Sequence, residues 1–143
     1  MNTPSKSFVY TLTRISSRYK TELAQNFASN GYSDVTPDYW IILEWLWEEE
    51  NITLGQLAER TSKDKASITR IIGGMERNDL VIRTPSASDK RSFLISMSKY
   101  AKSIIENLKR IEEDTLKRAT EGLNPIEVKE LVRMLEHLFV NLD

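Results

Sequence analysis

Cysteine is absent from this 143-residue chain, and histidine occurs once, at His137. Without cysteine there is neither a disulfide nor a thiol redox sensor. A single histidine leaves a zinc site of the usual nitrogen and sulfur type short of ligands, so no metal or cofactor is expected. Catalytic motifs are missing as well. No glycine-rich phosphate loop follows a strand, no hydrolase elbow is present, and the carboxylates fall at solvated helical positions, so an enzyme is not expected. No apolar run approaches the ~18 residues of a membrane span, and the polar start Met1–Lys6 has no signal-peptide core. A cytoplasmic protein is therefore expected. The length fits one domain over residues 1–143 with an ordinary core.

The net charge is only −1, but the charges are unevenly spread. From Arg60 to Arg91 eight cations face four anions, a net of +4, and the remainder of the chain is −5. A basic middle between acidic flanks suits a polyanion, because counterions are released only where cations meet phosphates. An ordinary mixed surface is the alternative.

That middle reads as helix, turn, helix and hairpin. Thr53 and Gln56 have the spacing of a capping box, followed by the apolar Leu54, Leu57 and Ala58. After the turn Thr61-Ser62-Lys63, Asp64 is the expected N-cap of a second helix to about Asn78. Its Ile68, Ile71, Ile72 and Met75 form one apolar stripe. Ala66, Arg70, Gly73 and Arg77 lie opposite, flanked by Ser67 and Thr69. Short polar and cationic side chains suit a helix in a DNA major groove, and a solvated face has the same composition. Gly73 and Gly74 each cost about 1 kcal/mol relative to Ala inside a helix. They imply close approach to DNA, tight packing or tolerated drift. Leu80–Arg83 and Phe93–Met97 then read as two strands around the polar segment 84–92, a wing.

The stretch resembles the MarR transcriptional regulators. The resemblance rests on the wing tip Asp89-Lys90-Arg91, which matches the family's Asp-x-Arg, and on the helix-to-strand junction Met75-Glu76-Arg77-Asn78-Asp79-Leu80-Val81-Ile82-Arg83. It extends over nearly all the chain and is sharp in the middle third. The strand exit departs from the pattern, with Met97-Ser98 and Ala101 where the family commonly has Leu-Thr and then Gly. The implied fold is mainly α with a small β-hairpin wing: a DNA-binding lobe at 36–98 and a helical dimerisation lobe at 1–31 and 99–143.

The implied function is a sequence-specific regulator, a repressor, binding a pseudo-palindromic operator in double-stranded DNA as a homodimer. Its half-sites would be roughly 34 Å apart. Lys65, Ser67, Thr69 and Arg70 are candidates for base or phosphate contacts, with Ser62 and Lys63 in the turn and Arg77 further along. By resemblance Arg91 enters the minor groove beside Lys90, while Asp89 orients it or pairs with Arg77. A winged-helix protein-interaction module without specific DNA binding is the alternative.

Long helices are expected on either side. Phe8, Leu12, Ile15, Tyr19, Leu23 and Phe27 mark the first, ending near Gly31. Thr36-Pro37 opens a second, to about Glu50, with fraying expected at its acidic end. This helix places Tyr39, Trp40, Trp45 and Trp47 within nine residues. Such aromatics are either core or the walls of a ligand pocket, for which Tyr39, Trp40 and Trp45 are the candidates. By resemblance the ligand would be a small aromatic or phenolic effector. Lys99–Glu121 forms another helix, and Asn124-Pro125-Ile126-Glu127 restarts the last. There Val128, Leu131, Leu135, Leu138 and Leu142 form a coiled-coil-like seam. Pairing of the first and last helices with their copies is expected; an intramolecular hairpin is the alternative.

Overall fold

The computed structural model describes residues 7–88 and 92–143. In chain order it contains α1 (Phe8–Ser29), α2 (Pro37–Glu48), β1 (Ile52–Thr53), α3 (Leu54–Thr61), α4 (Lys65–Arg77), β2 (Val81–Pro85), β3 (Phe93–Met97), α5 (Lys99–Ala119) and α6 (Pro125–Leu142). Local sequence chemistry sets most boundaries. The side chains of Ser7, Thr36, Thr53, Asp64, Ser98 and Asn124 each accept from a backbone N–H in the first turn that follows. Full capping boxes form at Thr53/Gln56 and Asn124/Glu127. Gly31 and Gly122 take φ +91° and +92° just beyond α1 and α5, a left-handed turn that glycine adopts without Cβ strain.

Two boundaries differ from the sequence expectation. The sheet has three antiparallel strands in the order β1-β3-β2, not two. Ile52 and Thr53 pair with Ile95 and Leu94, and a two-residue strand is too short to leave a periodic signal. α2 stops at Glu48 rather than near Glu50. Glu49 then reaches Arg60 at 2.8 Å and Glu50 reaches Lys102 at 2.8 Å, so the acidic end is paired across to α3 and α5.

The core joins α1, α2 and α5 to the winged helix. Leu23 and Phe27 of α1, Trp40, Leu43 and Leu46 of α2, Ile68, Ile72 and Met75 of α4, and Ile105 and Leu108 of α5 are all buried. Ser98, at the departure from the usual strand exit, is buried and bonded in both directions. Its hydroxyl donates to the Asp79 carbonyl at 2.6 Å and accepts from the Ala101 N–H at 3.0 Å. A capped start of α5 is thereby tied to the end of the α4 turn.

α6 is the exception to this burial. None of its residues is buried, and Leu131, Leu135, Leu138, Phe139 and Leu142 are all exposed. At the other end of the chain Phe8, Val9, Leu12 and Ile15 of α1 are exposed too.

Candidate nucleic-acid interface

α4 is fixed from beneath and bare above. Ile68, Ile71, Ile72 and Met75 anchor it in the core, while Lys65, Ala66, Thr69, Arg70 and Arg77 face outward. Asp64 accepts from the Ser67 amide at 2.7 Å and from its hydroxyl at 3.0 Å. Those bonds hold the Asp64 carboxyl below the usual carboxylate range. They also occupy the Ser67 proton, and Thr69 donates to the Lys65 carbonyl at 2.8 Å. With their protons engaged, both hydroxyl oxygens are left as acceptors, which suits base amino groups.

The cations differ in freedom. Arg70 and Arg77 have no carboxylate within ion-pair distance among the described residues. Lys63 lies 3.7 Å from Asp38. Ser62 is exposed in the left-handed turn between α3 and α4, at φ 55°. Asp89, Lys90 and Arg91 lie outside the described residues, so the wing-tip assignments remain expectations.

The two glycines of α4 part company. A Cβ on Gly74 would collide with the Tyr39 hydroxyl and lie 3.1 Å from the ring carbon bearing it. Tight packing explains that position. A Cβ on Gly73 would meet the Arg77 guanidinium at an ordinary 3.5 Å, so the fold itself leaves room there.

Sequence reasoning did not single out Arg83 as a site residue. From β2 it donates to Glu76 of α4 at 2.8 Å and lies over the Phe93 ring of β3 at 5.1 Å. The root of the wing is thus clamped to the end of α4. A lone arginine on a short strand gives no sign of this, because the clamp depends on the register that sets β2 against β3.

Residues 35–93 match the family model described as the MarR family. This winged-helix part of the chain is similar to the MarR family. The chain is 25% identical over 134 residues to the HTH-type transcriptional repressor IacR of Pseudomonas putida, spanning 94% of this chain and 78% of that protein. Its fold is similar to that of the transcriptional repressor CouR bound to a 23-mer DNA duplex, with a TM-score of 0.84 at 21% identity over 94% of this chain and 93% of that one. It is likewise similar to BpsR of Bordetella bronchiseptica, from work on regulation of DNA binding by 6-hydroxynicotinic acid. That match has a TM-score of 0.84 at 19% identity over 96% of each chain. MarR-family members are transcriptional regulators rather than enzymes.

Among the described residues the three aromatic candidates for a ligand pocket meet different neighbours. Tyr39 lies against Gly74 of α4. Trp40 is buried edge-on to Phe27, ring centroids 6.1 Å apart, and its indole N–H donates to Glu112 at 3.0 Å. Trp45 is capped by the Arg60 guanidinium at 5.3 Å and borders an open cleft of about 260 Å³ with Ile41, Glu44 and Glu48. The side chains that meet between α1, α2 and α5 are Tyr19, Trp40 and Glu112, of which the sequence reading named only Trp40 as a site residue. Helical spacing shows that a carboxylate faces inward only once the partner helices are known.

Proposed function

We propose that this protein is a homodimeric, operator-binding transcriptional repressor that lays α4 of each protomer in the DNA major groove. The observation that carries the reading is α4 itself: apolar anchors in the core, small and cationic side chains outside, and Arg70 free to reach a base edge or phosphate. Arg83 and Glu76 clamp the wing root to the end of α4, and by resemblance Arg91 and Asp89 are proposed to reach the same duplex. The DNA-bound CouR structure supports this use of the fold. Dimerisation is supported by the apolar α6 and the apolar start of α1, which a second copy would cover through a two-fold interface. On this division residues 36–98 bind DNA and the terminal helices pair.

A small aromatic effector is part of the proposal. It would act by binding one separation of the two α4 helices better than another, and only to the extent of that difference.

Selection from a random duplex pool tests the reading, followed by binding to the selected and scrambled duplexes at two salt concentrations. A pseudo-palindrome with a steep salt slope is expected. Equal, weak binding to every duplex would contradict operator recognition and favour a protein partner.

A further inference from the structure

Arg77 does not stand off the end of α4. Its Nη1 lies 3.5 Å from where a Gly73 Cβ would be, and its Nη2 lies 3.7 Å from where a Gly74 Cβ would be, so the guanidinium is folded back one turn over both glycines. A helical side chain leans toward the N-terminus and covers the turn before its own Cα, which is the direction taken here. No anion of the fold claims the charge. The neighbouring Glu76 is held by Arg83 at 2.8 Å, and no carboxylate comes within ion-pair distance of Arg77 among the described residues. The two glycines have different neighbours. The place of a Gly74 Cβ is taken from inside by the Tyr39 hydroxyl, whereas the space over Gly73 is bordered by the Arg77 guanidinium alone. Residues 70, 73 and 77 follow one stripe of the helix, at i, i+3 and i+7, and Arg70 is exposed at its other end. The outward face of α4 therefore carries the Arg70 side chain, then a turn with no side chain of its own, and a second guanidinium laid into that turn from behind.

We infer that Arg77 is a specificity-determining residue that reads a base edge from the level of Gly73, one turn before its own position, and that Gly73 positions it by leaving that turn bare. The inference rests on the operator-binding reading and adds to it a second base contact in each half-site. A planar guanidinium in a major groove donates in parallel to O6 and N7 of guanine, so guanine is the base expected opposite Arg77. The seat has a size limit. A Cβ at residue 73 makes ordinary contact with the guanidinium at 3.5 Å, but a side chain that extends beyond its Cβ has to take the space the guanidinium occupies. In the free protein an exposed arginine moves aside at little cost. In the complex, moving aside takes the guanidinium off its base.

The test begins with the full chain free in solution. Nuclear Overhauser contacts from the Gly73 and Gly74 α-protons to the Arg77 δ-protons are expected, and their absence overturns the fold-back. The selected duplex and its single-base variants are then titrated with the parent, Arg77→Ala, Gly73→Leu and the combined variant. Arg77→Ala should lose about tenfold in affinity, together with the preference for one guanine in each half-site. Gly73→Leu should lose the same preference while its melting temperature rises by about 2–4 °C, because leucine favours a helix more than glycine does. The combined variant should discriminate no worse than Arg77→Ala. A loss shared equally by every duplex would make Arg77 a phosphate contact and overturn the inference. Unchanged base preference in Gly73→Leu, or a further loss of discrimination in the combined variant, overturns the positioning role of Gly73. Should the parent itself select no duplex, the operator-binding reading fails and base reading by Arg77 fails with it, while the Overhauser contacts still decide the fold-back.

Discussion

α4 and α6 are both amphipathic helices with one face open to solvent, and those open faces have opposite chemistry. α4 buries its isoleucines and presents Lys65, Thr69, Arg70 and Arg77, whereas α6 buries nothing and presents Leu131, Leu135, Leu138 and Phe139. A helix whose apolar side is already satisfied by its own chain offers charge to a polyanion. One whose apolar side is unsatisfied calls for another apolar surface, which on the proposed reading a second copy supplies. The same amphipathic pattern therefore serves two purposes, and what decides between them is which side the core has already covered.

Charging α6 should have the largest effect. Leu135→Glu with Leu138→Glu should give a folded monomer, since neither side chain is buried, and reduce operator affinity by about 100-fold or more as the two α4 helices lose their linkage. Light scattering and binding on the selected duplex check both halves; an unchanged dimer would remove α6 from the interface. On the α4 side, Arg70→Ala should cost about 1–3 kcal/mol of operator binding and relax base preference at one position of each half-site. A uniform loss on all duplexes would make Arg70 a phosphate contact instead.

Gly74→Ala probes the packed underside of the same helix. It should lower stability by about 1–2 kcal/mol through the clash with Tyr39, and Tyr39→Phe should recover part of that loss by removing the hydroxyl. Thermal melts of the two variants and their combination decide this, and additive effects would contradict the proposed contact. The smallest expected change is at the wing: Arg91→Ala should lower affinity modestly and flatten the salt dependence by about one counterion. An unaltered slope would place the wing tip away from phosphate.

How much of this was legible in the sequence varied with the range of the interactions. The caps at Thr36, Thr53, Asp64 and Asn124, and the apolar stripes of α1 and α4, are local patterns and were readable. Ile52–Thr53 was not, because a two-residue strand exists only through its pairing with β3. The outward face of α4 could be listed, yet the engagement of the Ser67 and Thr69 hydroxyls within the helix depends on its cap geometry. Arg83 and Glu112 escaped notice for a similar reason. Each acts across elements, with partners seven to ninety-three residues away in sequence. The aromatic cluster of α2 is the reverse case, since Tyr39, Trp40 and Trp45 are close in the chain and meet three different neighbours.

The most direct test of the central claim is the stoichiometry and symmetry of the DNA complex. Sedimentation of the full chain with its selected duplex, and with a duplex in which one half-site is shifted by half a turn, would measure both. The account predicts two chains on the intact duplex and a strong loss of affinity when the half-sites leave the same face, because one two-fold dimer has to place both α4 helices at once. A single chain per duplex, or binding indifferent to the half-site shift, would contradict it.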